Sequence, residues 1–149
     1  MHVVIAINEA KYAEAIADFV INHDWKDDTT FEVISIVKPM KVASFEAVLP
    51  GPILDEIMQK KTTAAESLVQ TFVRSITKTI DQARIKTSVR EGFPTDEIME
   101  TLKASHADIL IVGSHARHGL ERAFLGSVSH YLVFHAECSI IVIRLPNHQ

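Results

Sequence analysis

Three apolar runs without polar alternation limit what this chain can fold into. They are "VVIAI" at residues 3–7, "ILIV" at 109–112 and "IIVI" at 140–143. A strand with one wet face alternates in polarity. A run that is apolar at every position needs cover on both faces, as parallel strands have. Five segments read as strands: His2–Ile7, Phe31–Val37, Arg84–Arg90, Ile109–Val112 and Ser139–Arg144. Helical spacing lies between them. Ile16, Phe19, Val20 and His23 follow i, i+3, i+4, i+7, and Ile57, Ala64, Ala65, Leu68, Val69, Phe72, Val73 and Ile76 mark a longer helix. Ile98 and Leu102 mark a third helix, and Val128, Tyr131, Leu132 and His135 a fourth. Strands that alternate with helices imply an open, mostly parallel α/β sheet with right-handed crossovers.

The length of 149 residues suits one domain over 1–149 with a real core. Hydrophobic residues make up 47% and charged residues 23%, a globular composition. A net charge of −4, with both signs mixed along the chain, argues against a nucleic-acid binder, which needs a basic face. No apolar run approaches the ~20 residues of a membrane span. The chain opens on "HVVIAI" without a charged leader, and its single cysteine, Cys138, cannot form an internal disulfide. Both features predict a cytoplasmic protein.

The stretch "VGSHARHGLERAFLGS", Val112 to Ser127, joins the fourth strand to the last helix. Gly113 ends the strand, and Gly126 and Ser127 open the helix. Free N–H groups at a helix start make an anion site, to which Ser127 adds a hydroxyl. The same spacing also fits a plain connection, with glycines serving turns and Ser127 as the helix cap. The one irregular region, Lys38–Pro52, contains three prolines. It reads as an excursion over the carboxyl ends of the strands, the edge where such sheets bind ligands.

This loop resembles the signature G-x2-G-x9-G-[S/T] of the universal stress protein family. Gly113, Gly126 and Ser127 match it, whereas Ala116 stands at the second glycine. "SVSHYLVFHAECSIIVIR" resembles the family's closing helix and last strand, with Ser139 where proline is usual. "GFPTDEI" at Gly92–Ile98 and "SIVKP" at Ser35–Pro39 resemble its turn after strand three and the end of its strand two. The resemblance covers nearly the whole chain. It implies a Rossmann-like, adenine nucleotide alpha hydrolase-like fold with strand order 3-2-1-4-5 and helices on both faces, and a homodimer. It also implies a stress-response or regulatory role, with ATP or ADP bound by some members and not by others. Position by position, Ile36 would offer main-chain groups to adenine, and Val112 and Gly113 would follow the ribose and phosphates. Gly126, Ser127 and Val128 would cradle phosphate, with His115, Ala116 and Arg117 in the same loop.

Two departures carry physical content. If the second glycine is needed at positive φ, Ala116 costs roughly 1–2 kcal/mol there, and its Cβ hinders close approach to a phosphate. Arg117 and Gly119 lie close enough to compensate. Asn8 stands where the family has an acid. It can bond a ribose hydroxyl but lacks the anionic oxygen that Mg²⁺ prefers, so binding should depend little on metal.

The histidines show no metal-ligand spacing. His115 and His118 read as loop residues, His135 as a helix-end residue, Cys138 as a buried structural thiol and Trp25 as a plug at the end of helix one. No G-x-S-x-G elbow accompanies Ser127 and His130. No general base is evident for attack on a γ-phosphate, so turnover should be slow or absent. The motifs of nucleotidyl transferases and ATP pyrophosphatases are missing, as are the paired acids of a phosphoacceptor receiver. Two functions remain: an adenine-nucleotide-binding regulator, or a dimeric interaction module of the same fold without nucleotide. The apolar last strand, an edge in the implied order, predicts a homodimer along Ser139–Leu145.

Overall fold

The computed structural model describes residues 1–40, 50–114 and 125–145. The elements alternate as β1 (His2–Ala6), α1 (Ala10–Asn22), β2 (Thr30–Val37), α2 (Gly51–Ile76), β3 (Ile85–Glu91), α3 (Pro94–Ser105), β4 (Ile109–Gly113), α4 (Ser127–His135) and β5 (Ser139–Ile143). Every pairing is parallel, and the order is β3-β2-β1-β4-β5. The order reverses between β1 and β4, so the crevice at their carboxyl ends is a topological switch point.

The unalternated runs are explained by two cores, one on each face. Val3, Ile5 and Ile7 point to one side and pack with Ile16 and Val20 of α1 and Val69, Phe72 and Ile76 of α2. Val4 points to the other side and joins Ile34, Leu110 and Val112 under Ile98 and Leu102 of α3 and Leu132 of α4. Trp25 behaves as the plug its position suggests. Its Nε1 donates to the Val20 carbonyl at 2.9 Å, and its ring meets Phe31 edge-on. No helix among the described residues is long and apolar enough to cross a membrane.

Three local expectations are corrected. Arg84 does not open the third strand but closes a 3-10 turn, Gln82–Arg84. Its Nε donates to the Thr29 carbonyl at 2.7 Å and its Nη2 to the Lys26 carbonyl at 2.8 Å, so the guanidinium ties together the segments that lead into β2 and β3. Gly51 and Pro52 belong to α2, not to the irregular stretch. Proline is tolerated in a first turn because its missing N–H has no helical partner there. Cys138 is half-buried rather than buried, packed at the margin of the second core. Burial pushes its thiol pKa up, and the charge of Asp108 adds to this against lowering by backbone hydrogen bonds.

Helix α3 ends on His106, a left-handed residue at φ 50°. Ala107 then donates to the Leu102 carbonyl at 3.0 Å, which closes the helix end. The left-handed strain of ~1–2 kcal/mol exceeds the entropy glycine adds to the unfolded chain, ~0.4–1 kcal/mol. His106→Gly should therefore stabilise the protein by about 0.5–1 kcal/mol, read as a raised urea midpoint at constant slope.

Candidate functional site

A cleft of about 610 Å³ opens at the carboxyl edge of the sheet. That volume lies within the range of small-molecule sites. The ends of β1, β2 and β4, the first turn of α4, one stripe of α2 and the start of α3 form its walls. Seven residues singled out in the sequence line it together: Asn8, Ile36, Val112, Gly113, Gly126, Ser127 and Val128. The other three, His115, Ala116 and Arg117, lie outside the described residues, as does His118.

The main chain of β2 is one wall. Ile7 donates its N–H to the Ile34 carbonyl at 2.9 Å, so the main-chain groups of Ile34 face β1. Two residues on, the groups of Ile36 point the same way. β1 has ended by then, and they face the cleft.

At the opposite wall, α4 begins with Gly126 as its N-cap, in an extended conformation and with no side-chain cap bond. Ser127 is thus the first helical residue and not the cap that the plain-connection reading assigned to it. The hydroxyl of Ser129 folds back to donate to the Gly126 carbonyl at 3.0 Å, fixing the entrance turn. His130 makes the first helical bond, to the Gly126 carbonyl at 2.8 Å. The N–H groups of the first turn therefore have no helical acceptor and lie at the positive end of the helix dipole.

Gly113 has a structural reason of its own. A Cβ there would lie 2.7 Å from Cδ1 and 2.8 Å from Cγ of Tyr12, whose ring on α1 is almost fully buried. The strand ends on glycine because α1 approaches it so closely.

The sequence reading missed the contribution of α2. Lys61, Ala64, Ala65 and Leu68 recur at i, i+3, i+4, i+7 and face the cleft, joined by Lys38 just after β2. Glu9, which caps α1, is the one carboxylate among the described lining residues, and its Oε2 pairs with Lys11 at 3.5 Å. A signal for Lys61 existed in the sequence: it is a charge at an inward position of an otherwise apolar helical stripe. Among the described residues no group of three His, Cys, Asp or Glu side chains could hold a metal ion.

Comparison with known proteins agrees with this architecture. The family model for universal stress proteins matches residues 1–144. Universal stress protein MJ0531 of Methanocaldococcus jannaschii is 36% identical over 63 residues, 42% of this chain and 37% of that protein. Universal stress protein Sll1388 of Synechocystis is 29% identical over 92 residues, 62% of this chain and 58% of that protein. The matched stretches thus span less than two thirds of these relatives. A universal stress protein family protein from Arabidopsis thaliana, solved with AMP bound, superposes with a TM-score of 0.65 at 17% identity, covering all of this chain (100%) and 94% of that one, which shows a shared fold. With the order β3-β2-β1-β4-β5 and a family match over nearly its whole length, the chain belongs to the universal stress protein family.

Proposed function

We propose that the cleft binds an adenine nucleotide, with phosphate on the first turn of α4 and the base along the main chain of Ile36. The observation that carries this reading is the convergence of Asn8, Ile36, Val112, Gly113, Gly126, Ser127 and Val128 on one cleft at the switch point. Each wall has suitable chemistry. The uncapped helix start offers N–H donors to an anion, and a strand edge offers a donor and an acceptor to a purine. The AMP complex of the Arabidopsis protein supports this ligand class. Asn8 hydrogen-bonds a ribose hydroxyl but brings no anionic oxygen, and the nearby Glu9 is engaged by Lys11. Binding is therefore little dependent on Mg²⁺. Hydrolysis is slow or absent, and the nucleotide serves as a regulatory signal in a stress response. ATP and ADP enter as longer forms of the same ligand. Titration calorimetry with AMP and ATP tests the reading. Measurable heat and a rise in Tm support it, and no heat and no shift at millimolar nucleotide overturn it.

A second reading, a dimeric interaction module, draws on a different surface. On α4, Phe134 is 71% exposed, Val133 42% and Tyr131 39%. An apolar outward face on a helix beside an edge strand is suited to a second copy of the chain. The homodimer then forms along Ser139–Leu145 with the outer face of α4 beside it. Light scattering at micromolar concentration should give twice the chain mass. Phe134→Asp should weaken the dimer about tenfold or more, with little change in the monomer's stability because the side chain is outside both cores. A single-chain mass throughout that range would rule the dimer out.

A further inference from the structure

We infer that Lys61 is a specificity residue that reads the charge of the ligand, favouring a nucleotide with a second phosphate group over a monophosphate. The inference rests on the adenine-nucleotide reading of the cleft and deepens it.

The inward stripe of α2 runs Leu54, Ile57, Met58, Lys61, Ala65, Leu68, Val69, Phe72 and Ile76, at helical three- and four-residue steps. Only Lys61 in it is charged. Its position is the one where the stripe leaves the hydrophobic core and passes over the cleft. Val69, Phe72 and Ile76 are buried further along, whereas Lys61 and Leu68 line the cavity.

The helix itself supplies no counter-ion. Lys60, next in sequence, pairs with Glu56 at 3.5 Å, one turn back. The same offsets from Lys61 hold Ile57, Met58, Ala64 and Ala65, none of them acidic. Among the described residues Lys61 makes no ion pair. Lys38 lines the same cavity, and the lining carboxylate, Glu9, is held by Lys11. Among the described residues Lys38 makes no ion pair either, so in a chain of net charge −4 the cleft is lined by two ammonium groups without a described counter-ion.

These cations are apart from the helix start that would take the first phosphate. Lys38 follows β2, while the segment leading to α4 follows β4, and β1 lies between those strands. Two inter-strand spacings put the strand ends about 10 Å apart. α2 and α4 also lie on opposite faces of the sheet. The cleft therefore has two anion-attracting ends, and a monophosphate meets only one. A lysine is a mobile point charge, suited to reaching a phosphate without dictating its geometry. With the base along Ile36 and the 5′-phosphate on α4, a second phosphate within reach of Lys61 sits on the ribose, as in adenosine 3′,5′-bisphosphate, and not at the end of the 5′ chain, as in ADP.

Calorimetry with AMP, ADP and adenosine 3′,5′-bisphosphate, on the wild-type chain, Lys61→Met, Lys61→Arg and the control Lys60→Met, tests this. Adenosine 3′,5′-bisphosphate should bind about tenfold more tightly than AMP, as one charge-assisted contact allows. Lys61→Met should remove most of that preference while AMP affinity changes about threefold or less, and Lys61→Arg should keep it. Raising the salt should shrink the preference in the wild type and not in Lys61→Met. ADP, whose second phosphate extends away from Lys61, is the control: a preference for ADP over the bisphosphate that Lys61→Met removes would overturn the inference. Equal affinity for all three ligands, or an undiminished preference in Lys61→Met, overturns the inference while the nucleotide reading stands. No binding of any of the three overturns both. Lys61 is exposed, so an unchanged Tm in each variant confirms that affinity, and not folding, was altered.

Discussion

Gly113→Ala lowers the stability of the fold by about 1–3 kcal/mol, the usual cost of overpacking a core. The added methyl would lie 2.7 Å from Cδ1, 2.8 Å from Cγ and 3.0 Å from Cβ of Tyr12. The first two distances are too short for any carbon pair, and the third is at the limit. Nothing near is free to yield. Tyr12 is 6% exposed, and Gly113 is a β4 residue paired with Ile143 of β5. Beyond it the Ser114 N–H donates to the Ile143 carbonyl at 2.8 Å. Either α1 tilts outward or β4 shifts against its neighbours. A double-mutant cycle with Tyr12→Ala isolates the contact. Tyr12→Ala destabilises by itself, but in that background Gly113→Ala should cost little, since the methyl then occupies vacated space. Urea denaturation of the four proteins reads the result. An equal cost in both backgrounds would remove Tyr12 as the reason for the glycine. The prediction also separates two roles that the loop motif merges, because a glycine required by α1 is required with or without a ligand.

Gly126→Val should have the opposite profile: a large loss of nucleotide affinity with a modest change in stability. Gly126 has φ −60° and ψ 158°, an extended conformation that valine adopts without strain. The cost to the fold is that of a poor N-cap residue, about 1 kcal/mol or less. The cost to the ligand is larger, because a branched side chain at the helix entrance stands where a phosphate would approach the first-turn N–H groups. Losing two or three charge-assisted hydrogen bonds weakens binding by roughly a hundredfold or more. Calorimetry with AMP, alongside urea denaturation, measures both quantities. Unchanged affinity in Gly126→Val would mean that α4 does not hold the phosphate.

Much of this molecule is legible from its sequence because the legible parts are local. The runs at β1, β4 and β5 lack alternation, and that property alone calls for a covered parallel sheet. The spacing of Ile98 with Leu102, and of Val128 with Leu132, places α3 and α4 on one core. The loop motif selects Gly113, Gly126 and Ser127, and all three line the cleft. The strand order itself came from family resemblance, since periodicity does not rank strands across a sheet.

What sequence reading missed depends on which groups meet across the fold. Arg84 reads as a strand residue until the carbonyls of Lys26 and Thr29, more than fifty positions away, are seen to receive its guanidinium. Cys138 immediately precedes an apolar run, but that run is an edge strand whose residues are only partly covered. Lys61 interrupts an apolar helical stripe, but the sequence does not say that the stripe passes over a cleft at that point. By itself the sequence determined the layers, the polarity of each face and the loop that leads to α4, because backbone propensity and apolar periodicity act over a few residues. Only the tertiary structure decided that Tyr12 requires Gly113, that α2 brings a cation over the cleft, and that β1 ends early enough to leave Ile36 facing it. Close packing and charge act through space, between residues that the order of the chain does not bring together.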